Sequence, residues 1–108
     1  MDKGYTLENR CRPTKMPFDW DQANTEHIAR HRVTPAEAEQ VISGASLPIE
    51  TEDRSGEERH TELGQTDTGR LLVVVWTWRR RRIRVVTPFP ANRRWRALWR
   101  RFKGVQDA

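Results

Sequence analysis

The segment Leu71-Leu72-Val73-Val74-Val75-Trp76-Thr77-Trp78 constrains this chain more than any other. It is rich in β-branched and aromatic residues, so it reads as a strand, and apolar residues fall on both of its faces. Such a strand sits inside a sheet and needs cover on both sides: helices on one, and a further helix, a partner or a second copy on the other. At 108 residues the chain has room for a single domain with a sheet of about four strands. The apolar run is far short of the roughly 20 residues that a membrane span needs.

The flanking residues supply the rest of the sheet. Asp67-Thr68-Gly69 predicts a hairpin connection from a strand over Glu58 to Gln65, whose alternation of charged and less polar residues suits the rim of a sheet. Leu47 to Thr51 reads as the first strand and Asp53-Arg54-Ser55-Gly56 as a turn. Downstream, Arg79 to Arg82 forms a charged turn and Ile83 to Thr87 a fourth strand. Pro88-Phe89-Pro90 is expected to end the sheet, because proline lacks the N–H that a ladder uses.

Helices are expected at both ends. Asp21 can cap a helix running to about His31. Thr34-Pro35-Ala36-Glu37 is a capping box with proline at the first helical position; Val33 staples onto Ala38, and Ala38, Val41 and Ile42 form the inner stripe up to Gly44. Asn92 starts a last helix in which Trp95, Leu98, Trp99 and Phe102 recur at helical spacing, with Gly104 as its end. The fold class is therefore α+β: two N-terminal helices, a four-stranded, mainly antiparallel sheet and a C-terminal amphipathic helix. Residues 1 to 15 read as a flexible leader, 16 to 104 as the domain and 105 to 108 as a tail.

Charge is unevenly placed. Residues 79 to 103 carry Arg79, Arg80, Arg81, Arg82, Arg84, Arg93, Arg94, Arg96, Arg100, Arg101 and Lys103 with no acid. The acidic residues, all but Asp107, lie before this stretch. A one-sided basic surface attracts polyanions. Arginine binds phosphate in bidentate fashion and stacks on bases, so its dominance over lysine, with Trp95, Trp99 and Phe102 interleaved, points to RNA. The arginines at 79 to 82, 93, 94, 96 and 100 are the candidate RNA-binding residues. The polar start has no apolar signal segment, which makes the cytoplasm the expected compartment. Cys11 stands alone, so no disulfide framework or thiol cluster is expected. His27 and His31 share a helix face, but no third ligand accompanies them, and neither metal nor cofactor is expected.

An ordered set of short pieces now matters: Phe18-Asp19-Trp20-Asp21; Ile28-Ala29-Arg30-His31-Arg32-Val33; Glu37-Ala38; Glu52-Asp53-Arg54 with Gly56-Glu57-Glu58-Arg59; Gly64 and Gly69-Arg70-Leu71-Leu72-Val73-Val74-Val75; and Arg82-Ile83-Arg84-Val85-Val86. Over residues 17 to 87 this set resembles the BrnT toxins. The resemblance implies a RelE-like ribonuclease of a type II toxin–antitoxin pair that cleaves RNA without a metal ion. It also implies a small antitoxin with a ribbon-helix-helix part, and assembly as a homodimer or a toxin–antitoxin heterotetramer. The family's basic-His pair falls on Arg30-His31, its acidic-basic strand start on Glu58-Arg59 and its late-strand arginine on Arg84. Where relatives carry a small-Ala-Arg stretch, this chain has Thr87-Pro88-Phe89-Pro90-Ala91, and Trp95 stands where an acid is common.

Cleavage of RNA without metal needs a base for the 2′-hydroxyl proton, cations for the charge developing at phosphorus and an acid for the leaving 5′-oxygen. Histidine ordinarily titrates near neutrality, which makes His31 a candidate acid or base beside Glu58. Arg30, Arg59 and Arg84 are candidates to clamp the phosphate. The competing expectation is a nucleic-acid-binding module that keeps this fold and has lost the chemistry, with Pro88-Phe89-Pro90 as the feature in its favour.

Overall fold

A computed structural model describes residues 17–107, with side chains over 17–104. The leader expected over residues 1 to 15, Cys11 and the last residue of the expected tail lie outside the described residues. The order is α1 (Gln22–Ala29), α2 (Pro35–Ser43), β1 (Leu47–Arg54), β2 (Glu57–Gln65), β3 (Leu71–Arg79), β4 (Arg82–Pro90) and α3 (Arg93–Asp107). The strands form one antiparallel meander in the order β1-β2-β3-β4. This is the α+β arrangement the sequence predicts.

Capping sets both early helices. Asp21 accepts from the Asn24 N–H while the Asn24 side chain accepts from the Asp21 N–H. Thr34 and Glu37 make the same reciprocal pair at the start of α2, which satisfies donors that a helix start leaves free. On the helix side of the sheet, Ile28, Val33, Ala38, Val41 and Ile42 bury against Leu72, Val74, Trp76, Ile83 and Val85. On the other side, Leu63, Leu71 and Val73 pack with Ala91 and Trp99, joined by half-buried Trp95, Leu98 and Phe102. Helix α3 thus supplies the second cover that β3 requires.

Three expectations are corrected. Strand β2 is interior, paired with both β1 and β3; its charged residues at 57 and 58, beside the β1–β2 turn, are exposed on both faces. Pro88 and Pro90 do not end the sheet but belong to β4, opposite Val74 and Leu72. They are tolerated because β4 is an edge strand and the Ala91 N–H donates to the Leu71 carbonyl. Residues of the other parity, 88 and 90, therefore turn their N–H-less nitrogens away from β3. Finally, α3 does not stop at Gly104 but continues to Asp107; a Cβ at Gly104 would meet nothing, and glycine inside a helix is a modest penalty rather than a stop.

A bulge at Val86 makes the parity work, since Val75 faces Thr87 while Trp76 faces Val85. Before the bulge, the Ile83 N–H points outward to the Pro17 carbonyl; after it, the outward positions are the prolines. Two hairpins close through two-residue turns with both residues left-handed: Ser55 (φ 54°) with Gly56 (φ 84°), and Arg80 (φ 53°) with Arg81 (φ 66°). That conformation costs a residue bearing a Cβ about 1–2 kcal/mol.

Close approach of α2 to the sheet makes Gly64 necessary. A Cβ there would lie 2.9 Å from Val41 Cγ1 and 3.1 Å from the Ser46 Cβ. Gly64→Ala should lower unfolding free energy by about 1–3 kcal/mol, whereas Gly104→Ala should raise it by up to about 1 kcal/mol. Urea denaturation of both variants checks the pair, and a Gly64→Ala protein as stable as the parent would contradict this packing.

Candidate functional site

Helix α3 covers only part of its sheet face. Its apolar residues pack with Leu63, Leu71 and Val73, at the end of β3 away from the β3–β4 turn, so the rows near that turn lie outside the apolar cluster under α3, although Thr77 itself is buried. The lowest row aligns Arg59, Thr77 and Arg84 across β2, β3 and β4. The next aligns Thr61, Val75 and Thr87. At the β4 edge, α1 brings Ala23, Asn24 and His27 alongside. The result is an open cleft of about 300 Å3 lined by His27, Glu57, Arg59, Thr77 and Arg84, among others.

Each polar side chain in the cleft has a partner. Arg59 donates from Nε to Glu57 Oε2 at 2.8 Å. Arg84 donates from Nη1 to Asp21 Oδ2 at 3.0 Å and Asp19 Oδ2 at 3.3 Å, and from Nη2 to Asp21 Oδ1 at 3.2 Å. The Thr77 hydroxyl donates to the Glu58 carbonyl at 2.7 Å. His27 Nε2 lies 3.3 Å from Thr87 Oγ1. The Arg84 guanidinium, followed by the Asn24 N–H, holds the Asp21 carboxyl below its usual range, and Asp21 in turn raises Arg84. A second open hollow, of about 410 Å3, is lined by Asp19, Asp21, Arg79, Arg80 and Arg82. Its acids and bases are mixed, and among the described residues only Arg79 of its lining arginines approaches a carboxylate, at 3.9 Å from Asp19.

The structure gathers part of the expected site and scatters the rest. Arg59 and Arg84 meet in the cleft. Arg30 is exposed at the C-terminal cap of α1. His31 follows it and packs edge-on against His27, ring centroids 5.3 Å apart. Glu58 lies on the opposite sheet face, 3.3 Å from His60, whose ring stacks on Trp76. Strand period explains this: residues 57 and 59 share a face, and 58 points the other way. The acid beside Arg59 is therefore Glu57. The signal for it was present in the sequence, as was the helical spacing that puts His27 on the face of His31.

The expected RNA-binding arginines form two groups. Arg79, Arg80, Arg81 and Arg82 cluster at the β3–β4 turn, and Arg93, Arg94, Arg96 and Arg100 are exposed on α3. The two groups attach to opposite ends of β4, about 30 Å apart. Phe89, at the centre of the Pro88-Phe89-Pro90 stretch, packs in the apolar cluster beneath α3 and is not among the residues lining the cleft. Among the described residues, no three His, Cys, Asp or Glu side chains group as metal ligands, and no helix is long and apolar enough to cross a membrane.

Residues 20–94 match the protein-family model described as "Ribonuclease toxin, BrnT, of type II toxin-antitoxin system". Comparison with curated proteins gave no match.

Asp21 tests the electrostatics at the cleft edge. It is an acid depressed in the folded state, so the stability it contributes is present above its ordinary range and is lost as pH falls through the lower, folded value. Asp21→Asn keeps a good N-cap and removes the charge. Its Tm should fall slightly at neutral pH, and its decline as the medium is acidified below the ordinary carboxylate range should be shallower than the parent's. Identical acid limbs would show that the exposed Arg84 pair contributes nothing.

Proposed function

Since the chain belongs to the BrnT family of type II toxin–antitoxin ribonuclease toxins, we propose that the cleft beside Arg59 and Arg84 binds single-stranded RNA and cleaves it without a metal ion. The carrying observation is the row Arg59-Thr77-Arg84, two cations on one open sheet face with His27 and Glu57 on the same cleft. The 2′-hydroxyl oxygen attacks the adjacent phosphorus, the bond from phosphorus to the 5′-oxygen breaks, and the products are a 2′,3′-cyclic phosphate and a 5′-hydroxyl. One group takes the 2′-hydroxyl proton and another returns a proton to the leaving oxygen. His27 and Glu57 fill these roles, and His31 holds the His27 ring from its edge. Arg59 and Arg84 stabilise the charge that develops on the phosphoryl oxygens. Their carboxylate partners Glu57, Asp19 and Asp21 keep both guanidinium groups extended before RNA arrives.

The reading moves the acidic role from Glu58 to Glu57 and the central imidazole from His31 to His27. Burial of Phe89 under α3 leaves the cleft intact, which favours a cleaving enzyme over a binding-only module. A cognate antitoxin of ribbon-helix-helix type neutralises the toxin, with translation arrested when it is absent. Induction in cells should arrest growth and nick transcripts, and co-expression of the antitoxin should relieve the arrest. Arg59→Ala, Glu57→Gln and His27→Ala should each slow cleavage by about 100-fold or more, with Glu58→Gln close to the parent. A Glu58→Gln loss with an active Glu57→Gln protein would contradict the assignment.

A further inference from the structure

Trp78 has no place in the cleft or in either core. Its side chain lies on the sheet face away from Arg59 and Arg84, and at 50% exposure it is the large apolar residue the fold leaves open among those described. It is nevertheless held: its ring meets Trp76 edge-on at 5.2 Å, and Trp76 is stacked on His60 at 4.4 Å. One residue beyond begins the Arg79–Arg82 turn. Among the described residues, no carboxylate is in ion-pair range of Arg80, Arg81 or Arg82, and Arg79 reaches only Asp19.

The turn itself points to use. The β1–β2 hairpin makes a like-signed turn with glycine at one of its two left-handed positions, Ser55 and Gly56, whereas the β3–β4 hairpin places arginine at both. Strain of this kind persists where the side chains are needed. Two guanidinium groups with no carboxylate partner among the described residues, at a hairpin tip next to a braced and half-exposed indole, match the alternation of phosphate and base along a single strand. Duplex bases are already stacked and offer no free face to Trp78.

We propose that Trp78, Arg80 and Arg81 form a second site, which stacks an unpaired base and grips the phosphates of the RNA flanking the cleft. The strand then passes around the β3–β4 tip from one sheet face to the other. The site rests on the ribonuclease reading only for the choice of RNA as the polyanion.

Binding to uncleavable RNA separates the two ideas. The probe is a single-stranded 2′-O-methyl oligonucleotide of about 12 nucleotides, added to the full chain and followed by anisotropy across a salt series. Trp78→Ala should weaken binding by about tenfold. Arg80→Asn with Arg81→Gly should reduce the slope of log K against log salt by about 1.4, the share of two phosphates, while melting no lower than the parent because Asn-Gly relieves the turn. Loss of RNA affinity with retained or improved stability is the expected signature. Affinity within twofold of the parent in either variant overturns the proposal, as does a parent that binds the probe no better than a duplex or binds only an acidic protein. If the variants lose affinity but the parent cleaves no RNA, the site stands and the ribonuclease reading falls; unchanged affinity with active cleavage gives the reverse.

Discussion

Burial of β3 on both faces governs the rest of this molecule. Leu72, Val74 and Trp76 need one apolar cover and Leu71 and Val73 another, so α1 and α2 occupy one side of the sheet and α3 the other. The covers are unequal. Two helices and the stretch around Phe18 and Trp20 serve the first face, but a single helix serves the second. The apolar cluster under that helix stops at Leu63, Leu71 and Val73, and the end of the sheet beyond it carries Arg59, Arg84 and the buried Thr77. The cleft is thus a geometric remainder of the fold, and the chain fills it with cations instead of core.

The Val86 bulge makes this remainder usable. Without it, β4 would keep one parity from Ile83 to Phe89, and residues now split between two faces would collide with the core pattern. With it, Ile83, Val85 and Pro88 all face α1 and α2, while Arg84 and Thr87 face the cleft and Phe89 faces α3. The same parity change aims both proline nitrogens outward. Packing on the far face is tied down by polar contacts: Glu62, buried in the sheet, accepts from Trp76 Nε1 and from Ser46, and Arg70 links Glu37 of α2 to the Arg32 carbonyl.

Much of this was legible in the sequence because it is local. The capping box at Thr34, the stripe of Ala38, Val41 and Ile42, and the two-sided run at Leu71 to Trp78 each imply their structure without reference to distant residues. Likewise Gly64 and Arg70, pieces of the family resemblance, prove to be a close helix approach and a helix-to-loop tie. What was not legible depends on pairing. The edge position of β4 rescued its prolines, and the interior position of β2 was masked by the exposed charges at its start. Strand parity could have distinguished Glu57 from Glu58, since a period of two is a sequence property. The approach of His27 to Thr87 could not be read, because it depends on where α1 meets the β4 edge.

We propose that this sheet face cleaves RNA through the substrate's own 2′-hydroxyl. The most direct measurement incubates the purified protein, with a chelator present, with a defined RNA and with the same strand carrying a 2′-deoxy sugar at the mapped cleavage position. Cleavage of the first to a 2′,3′-cyclic phosphate, and none at that position in the second, is the predicted result. Equal cleavage of both strands, or activity that returns only when a divalent ion is restored, would contradict the account.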